Sequence, residues 1–113
     1  MNRTRGAVDT AEVRRAEEAI PRIVLRLYVA GGAPRSAEAI RNVRRLCAEQ
    51  LRGRADLAVV DIYQEPWRAR EANLVAAPTL IIEQPLPRRC FIGSMTDLAP
   101  LLTALEVGEE GET

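Results

Sequence analysis

The chain has 113 residues, 47% hydrophobic and 28% charged, which leaves room for one globular domain. Sixteen basic and sixteen acidic side chains give a formal net charge of zero, so the basic excess typical of nucleic-acid-binding proteins is absent. The sequence has no histidine, which removes the usual general base and a common zinc ligand. We therefore expect no catalytic residues, no metal, no cofactor and no nucleic-acid partner.

Composition divides the chain into three segments. Residues 1–21 are a polar extension, in which Thr10 is a candidate N-cap for a short helix over residues 11–20. Residues 22–107 form the domain, and residues 108–113 are an acidic tail. The extension lacks the apolar core of a signal peptide, and no stretch approaches the ~20 apolar residues that span a bilayer. We expect no membrane association and a cytoplasmic location.

The first half of the domain reads as strand, helix, strand. Residues 23–29 are nearly all apolar, which indicates a strand buried on both faces. A helix is predicted from Ser36, its N-cap, to about Arg52, and Gly53 is predicted to end it. Its arginines at positions 41, 44, 45 and 52 are interpreted as a solvated face, with an acidic partner as the alternative. Residues 57–63 are apolar and β-branched, which predicts the second strand.

The second half reads as helix, strand, strand, helix. Pro66 suits the first turn of a helix that continues over residues 67–74. Short strands are predicted at residues 79–83 and 89–92, and the spacing of the later leucines predicts a closing helix over residues 98–105. The predicted order is βαβαββα, an α/β fold.

Pro100 favours a helix at the end of the domain. With Asp97 as the N-cap, Pro100 lies in the first turn, where its missing N–H removes no hydrogen bond. In a strand it could not donate to the ladder. The core positions predicted from these patterns are Leu25, Leu27, Val29, Ile40, Val43, Val59, Ile62, Leu80, Leu101 and Leu105.

The fold resembles that of thioredoxin. Residues 77–80 read Ala-Pro-Thr-Leu, and this resemblance implies a cis proline at Pro78. A thioredoxin enzyme also needs a nucleophilic cysteine in the loop after the first strand, but residues 30–36 contain none. The two cysteines, Cys47 and Cys90, fall on a helix and in a strand, where both are predicted to be small core residues. We therefore expect no thiol-disulfide activity.

Several motifs sharpen the resemblance from a fold to a family. Residues 25–31 read Leu-Arg-Leu-Tyr-Val-Ala-Gly, and Pro34 and Ser36 follow. Further matches occur in order, with near-gapless spacing, at residues 60–62 with Pro66, 77–80, 85–87 with Arg89, and 92–93. Over about residues 23–105 the sequence resembles the KaiB family of bacterial clock and timing proteins.

This resemblance implies a function in protein binding. KaiB proteins bind the ATPase ring of KaiC and thereby displace or recruit other clock proteins. They also adopt two folds: a self-assembling ground state of order βαββααβ, which is the alternative here, and a thioredoxin-like state that binds KaiC. The segment that would change lies from about Ile62 onward. Pro100 leads us to expect the thioredoxin-like form, and the resemblance implies a homo-oligomer, a dimer or a tetramer.

The predicted interaction residues lie in the second half of the domain, where Trp and Arg are frequent interface anchors. They are Gln64, Glu65, Trp67, Arg68, Arg70, Arg88 and Arg89. Pro78, Gly93 and Pro100 are predicted to have structural roles. Two alternatives stay open: a thioredoxin-like thiol-disulfide oxidoreductase, and a stand-alone relative of the KaiB-like sensor domain of clock histidine kinases.

Overall fold

The computed structural model describes residues 22–110 and has the predicted order βαβαββα. Its elements are β1 (Ile23–Val29), α1 (Pro34–Glu49), β2 (Ala55–Asp61), α2 (Pro66–Glu71), β3 (Thr79–Gln84), β4 (Arg89–Ile92) and α3 (Ala99–Glu110). The thioredoxin-like α/β fold is confirmed, and its last element is a helix, as Pro100 indicated. The helix proposed for residues 11–20 lies outside the described residues, and the domain limits 22–107 remain a prediction.

The four strands form one mixed sheet of order β2-β1-β3-β4. β1 pairs in parallel with β2, with Leu25 opposite Leu57, and antiparallel with β3, with Leu27 opposite Leu80. β4 pairs antiparallel with β3. β1 is therefore a central strand with ladder partners on both sides, while β2 and β4 are the edges.

The apolar side chains of β1 are divided between two clusters, one on each face of the sheet. Alternate residues from Ile23 to Val29 join the main core, which α1 and α3 cover. Tyr28 points to the other face and packs with Val60 and Ile81, against Ala72 and Leu74 at the end of α2. We call these the α1/α3 face and the α2 face. A strand covered on both faces needs apolar residues at consecutive positions, which explains its nearly continuous apolar sequence.

Most of the predicted core positions are confirmed. Seven are buried, namely Leu25, Leu27, Val29, Val43, Leu80, Leu101 and Leu105. Ile40 and Ile62 are partly buried and pack against the main core and the Tyr28 cluster respectively. The prediction for Val59 is wrong, because its side chain is 36% exposed. Val59 lies on the edge strand β2, which has a neighbouring strand on one side only.

The predicted start of α1 is also wrong. The helix begins at Pro34 with Ala33 as its N-cap, so Ser36 is a helical residue and is fully buried. Its Oγ accepts a hydrogen bond from the backbone N–H of Ala30, 3.0 Å away, and so fixes the loop after β1 to the helix. Pro34 is the first helical residue instead, because its fixed φ and missing N–H suit that position.

The buried stripe and the end of α1 differ from prediction as well. Ser36, Ala39, Val43 and Leu46 are buried, whereas Ile40 and Cys47, which were predicted to be core residues, are only partly buried. The helix ends at Glu49, short of Arg52. The chain then turns through Arg52 and Gly53, both with positive φ, and glycine adopts such a conformation at little cost.

α3 begins at Ala99, one residue later than predicted, and Asp97 still caps its first turn. One carboxylate oxygen of Asp97 accepts a hydrogen bond from the Ala99 N–H at 3.0 Å, at the first residue of the helix. Pro100 is the second helical residue, where an N–H would have no intrahelical partner. Leu101 and Leu105 point into the main core, with 1% and 5% of their surface exposed.

We expect Leu27→Ala to lower the free energy of unfolding by about 2–5 kcal/mol, because it opens a cavity under the central strand. Val59→Ala, a truncation on the edge strand, should cost about 1 kcal/mol or less. Urea denaturation followed by circular dichroism measures both. Equal losses in the two variants would contradict the assignment of β1 as the central strand.

Candidate functional site

The carboxylate of Asp61 fixes the loops at the end of β1 and β2. Its Oδ1 accepts hydrogen bonds from the backbone N–H of Gly31 at 3.0 Å and of Tyr63 at 2.9 Å. These two residues belong to the loops that leave the parallel strands β1 and β2. By turning the chain, Asp61 also ends β2 two residues before the predicted boundary at Tyr63. Asp61 therefore ties together the two loops that follow β1 and β2.

Gly31 is required by a close approach of the Tyr63 ring. Gly31 has a φ of +54°, and a Cβ placed there would lie 2.8 Å from Cδ2 of Tyr63. A side chain at this position would push the ring away and would also be strained by the left-handed backbone. The Tyr63 side chain, still 73% exposed, is therefore held over the loop and presents its other surface outward.

α2 extends this exposed aromatic surface. Pro66 is the first residue of the helix, as predicted, and Trp67 follows with 48% of its surface exposed. Gln64 and Arg70 are exposed as well. We define the α2 surface as Tyr63, Gln64, Trp67 and Arg70.

Two further predicted interaction residues lie at the margin of the α2 surface. Glu65 and Arg68 are only partly exposed, and the Arg68 guanidinium donates to the Glu65 carboxylate at 3.0 Å. Exposed ion pairs of this kind contribute about 0–1 kcal/mol to stability. Arg68 therefore has a partner within the chain, whereas no described residue forms an ion pair with Arg70.

The loop before β3 adds an apolar margin to this end of the sheet. The Ala77–Pro78 peptide bond is cis, as the thioredoxin resemblance implies, and Pro78 is buried. Its carbonyl accepts a hydrogen bond from the N–H of Gly93, whose φ is +118°. Val75, in the loop before β3, is 84% exposed, and Ile92, at the end of β4, is 60% exposed.

Arg88 and Arg89 are not part of the α2 surface. Arg88 precedes β4 at the opposite end of the sheet, four residues or about 13 Å from Ile92, and donates to Glu83 at 3.1 Å. Arg89 is opposite Ile82 of the main core, so it lies on the α1/α3 face. The structure thus gathers five of the seven predicted residues and separates the remaining two, although all seven are at least partly exposed.

The two cysteines lie on opposite sides of the sheet. Cys47 packs against the main core, and burial raises the pKa of its thiol. The prediction that Cys90 is a core residue is wrong. Cys90 is exposed, because it sits on the edge strand β4 opposite Ile81 of the α2 face. The two sulfur atoms cannot form a disulfide without a rearrangement of the sheet.

The described residues form an open groove but no cluster of potential metal ligands. Among residues 22–105, no group of three or more Asp, Glu or Cys side chains is arranged to bind a metal ion. An open groove of about 410 Å³ lies between β4 and the start of α3, over Ile92, Met95 and Leu101. None of the described helices has both the length and the apolar composition needed to cross a membrane.

Solved structures with a similar backbone define the class of protein. The N-terminal domain of SasA from Synechococcus elongatus has a TM-score of 0.63 and 22% identity, with 81% of this chain and 86% of that chain covered. A chloroplastic thioredoxin z has a TM-score of 0.64 and 13% identity, with 88% and 92% covered. At these identities the likeness shows the fold alone, and that fold is thioredoxin-like.

The family is shown by the sequence. The KaiB domain matches residues 26–106. The circadian clock protein KaiB3 of Synechocystis is 39% identical over 90 residues, which cover 80% of this chain and 88% of that protein. The clock oscillator protein KaiB of Microcystis aeruginosa is 36% identical over 84 residues, or 74% and 81% of the two chains. The chain belongs to the KaiB family, as its motifs indicated.

Sequence reasoning missed Tyr63, Val75 and Ile92 as exposed apolar residues. The apolar run predicts a strand that continues to Tyr63. Only the position of Asp61 indicates that this strand ends earlier. Ile92 is the last residue of β4, whose place at the edge of the sheet cannot be read from its composition, and Val75 lies in the loop four residues before β3.

We expect Asp61→Ala to lower the free energy of unfolding by about 1–3 kcal/mol, because two backbone N–H groups lose their acceptor. Asp61→Asn retains a carbonyl oxygen and should recover part of the loss. Asp56→Ala is the control, since it removes only an exposed ion pair with Arg22, worth about 1 kcal/mol or less. Equal effects of Asp61→Ala and Asp56→Ala would show that Asp61 does not fix the loops.

The two cysteines should differ in reactivity. In the folded protein we expect Cys90 to react quickly with Ellman's reagent and Cys47 slowly, because burial limits access to Cys47 and its raised pKa lowers the thiolate fraction. The Cys90→Ser variant should lose the fast phase and keep the slow one. A fast phase that survives this substitution would contradict the assignment of Cys90 to the exposed edge.

Proposed function

We propose that this protein is a non-enzymatic regulator that binds a KaiC-type ATPase and acts by competition with other proteins for that ATPase. Membership of the KaiB family is the observation that carries this proposal, because the matched relatives are circadian clock proteins. The process it regulates is a circadian rhythm or another timing or stress response.

The α2 surface supports a protein-binding function. Trp67 and Tyr63 are large aromatic side chains that are 48% and 73% exposed, while folding normally buries much of such side chains. The Tyr63 ring lies close against Gly31, and Trp67 is the second residue of α2. Rigid aromatic groups lose little conformational entropy on binding, and Trp, Tyr and Arg dominate interface hot spots.

The charge of the surface indicates the chemistry of its partner. Arg70 is exposed beside these aromatic groups and has no ion pair with a described residue. An arginine at an interface offers a planar fork of donors that matches a carboxylate. We infer that the α2 surface contacts a site on the ATPase where apolar side chains lie next to Asp or Glu.

A thiol-disulfide function is disfavoured by where the cysteines lie. The loop between β1 and α1, which precedes the N-terminus of the long helix, reads Ala-Gly-Gly-Ala at residues 30–33. Cys47 is in the last turn of that helix and Cys90 is on the far edge strand. Neither thiol is placed at a helix N-terminus, where the dipole would stabilise a thiolate.

Binding to the organism's own KaiC-type ATPase tests the proposal. In biolayer interferometry with ATP or ADP present, we expect Trp67→Ala to weaken binding by about 30-fold or more, as loss of a hot-spot residue does. Arg70→Glu should weaken it as well. Arg52→Glu is the charge-matched control, because Arg52 is exposed beyond the far end of α1, and it should bind like the wild type.

Two results would count against the proposal in different ways. Wild-type protein that binds the ATPase in neither nucleotide state would overturn the proposed function. Wild-type affinity in Trp67→Ala and Arg70→Glu would leave the function standing and remove the α2 surface from the binding site. Arg89→Glu then tests whether the interface instead includes the α1/α3 face.

A further inference from the structure

The ladder between β3 and β4 shows which backbone groups of β4 face the open edge of the sheet. Thr79 is opposite Ile92, so the same register continued by one residue places Pro78 opposite Gly93. The Gly93 N–H donates to the Pro78 carbonyl at 2.9 Å, which makes this a hydrogen-bonded pair. Hydrogen-bonded and non-hydrogen-bonded pairs alternate along an antiparallel ladder. The N–H and C=O of Ile92 therefore point away from β3.

The same alternation directs a second residue of β4 outward. The backbone of Phe91 bonds to β3, whereas Cys90 and Ile92 have their N–H and C=O groups on the open edge. Beyond the strand ladders, no backbone hydrogen bond in the described part of the chain involves either of these two residues. β4 thus presents two donors and two acceptors in a row, an arrangement with which another extended chain can pair.

The sequence of β4 does little to protect this edge. Natural edge strands are commonly blunted by lysine, by proline or by a β-bulge. β4 reads Arg-Cys-Phe-Ile, its register with β3 has no shift, and Ile92 is 60% exposed. Arg89 contributes the one charge of the strand, and the length of four residues limits pairing to a short segment of chain.

The groove beside this edge determines which side chains a partner can present. It lies between β4 and the start of α3, and its volume of about 410 Å³ is within the range of ligand sites. Phe91, Met95, Pro100 and Leu101 give it an apolar lining. Phe91 points to the α1/α3 face, so a strand added to β4 would direct every second side chain toward this groove.

The charge of the groove favours a basic partner. Asp97 is exposed on its wall, and the other lining residues are uncharged. One carboxylate oxygen of Asp97 accepts from the Ala99 N–H, and no ion pair with a described residue involves this carboxylate. An arginine or lysine of a partner could form a charge-assisted hydrogen bond with it.

We propose that β4 and this groove bind an extended peptide segment of a partner protein, which adds to the sheet as a fifth strand. The segment has apolar residues at alternate positions and an Arg or Lys beside Asp97. Backbone pairing supplies the affinity and the groove supplies the sequence preference, as in other cases of strand addition. This binding needs neither the α2 surface nor the ATPase proposed above.

Amide hydrogen exchange of the free full chain, followed by NMR, tests the geometry of the edge. We expect the N–H groups of Cys90 and Ile92 to exchange about tenfold faster than that of Phe91, or more, because only Phe91 bonds to β3. Slow exchange of both groups in the free protein would show that another segment of the chain, or a second copy, already occupies the edge. That result would overturn the proposal.

A subtractive selection tests the chemistry of the partner. The probe is a library of random heptapeptides displayed on phage, from which peptides that also bind the Cys90→Pro variant are removed. Proline at this position deletes an outward donor and leaves the bonds to β3 intact. We expect the remaining peptides to alternate apolar with other residues, to contain Arg or Lys, and to lack Pro. Failure to enrich such peptides would overturn the proposal.

A synthetic copy of an enriched peptide tests the strand pairing. It should bind the wild type and Cys90→Ser alike, bind Cys90→Pro about tenfold more weakly, and slow the exchange of the Cys90 and Ile92 amides. Asp97→Asn keeps an N-cap acceptor and removes the charge, so it should weaken binding about two- to fivefold. Trp67→Ala should have no effect, which separates this site from the α2 surface.

Two results would contradict strand addition. One is unchanged affinity of the peptide for a folded Cys90→Pro variant, with folding checked by circular dichroism. The other is peptide binding to the wild type that leaves the exchange of the Cys90 and Ile92 amides unchanged. The second measurement decides the matter even if Cys90→Pro does not fold.

Discussion

The structure depends on β1 being covered on both faces and paired on both edges. Its consecutive apolar residues cannot be satisfied by one hydrophobic layer, so the sheet needs α1 and α3 on one face and an element on the other. That second element is the end of α2, which packs against Tyr28. Trp67, at the start of the six-residue α2, is 48% exposed.

The same arrangement holds the loops around the α2 surface in place. Asp61 links the ends of the two parallel strands, and the contact between Gly31 and Tyr63 sets the ring against the loop that in a thioredoxin enzyme would contain the reactive cysteine. At the same end of the sheet, the Ala77–Pro78 peptide bond is cis, and the Pro78 carbonyl accepts a hydrogen bond from the Gly93 N–H. This KaiB-family protein thus retains the thioredoxin framework. Beside the loop that follows β1 it presents aromatic and arginine side chains. Function in this framework follows from the site and not from the fold.

The order of the elements could be predicted because each rests on a local signal, such as the apolar run of β1 or Pro100 in a first turn. Two wrong predictions concern residues whose burial depends on whether their strand lies at the edge or the centre of the sheet. Val59 and Cys90 look like core residues in sequence, but they sit on edge strands, and nothing local distinguishes an edge from a centre. Ser36 has the chemistry of an N-cap, yet its hydroxyl accepts from Ala30 instead. Residue type alone predicts Trp67 and Arg70 as interaction residues. Tyr63 cannot be predicted in this way, because its exposure depends on the turn at Asp61.

The central claim is that this chain uses a thioredoxin-like fold for protein binding without thiol chemistry. A cysteine-free variant, Cys47→Ala with Cys90→Ser, tests it most directly, because it removes both thiols and leaves the α2 surface unchanged. The measurement is its dissociation constant for the KaiC-type ATPase, beside an insulin-reduction assay of the wild type. We predict an unchanged dissociation constant and no turnover. Loss of binding in the folded cysteine-free variant, or insulin reduction that depends on Cys47 or Cys90, would contradict it.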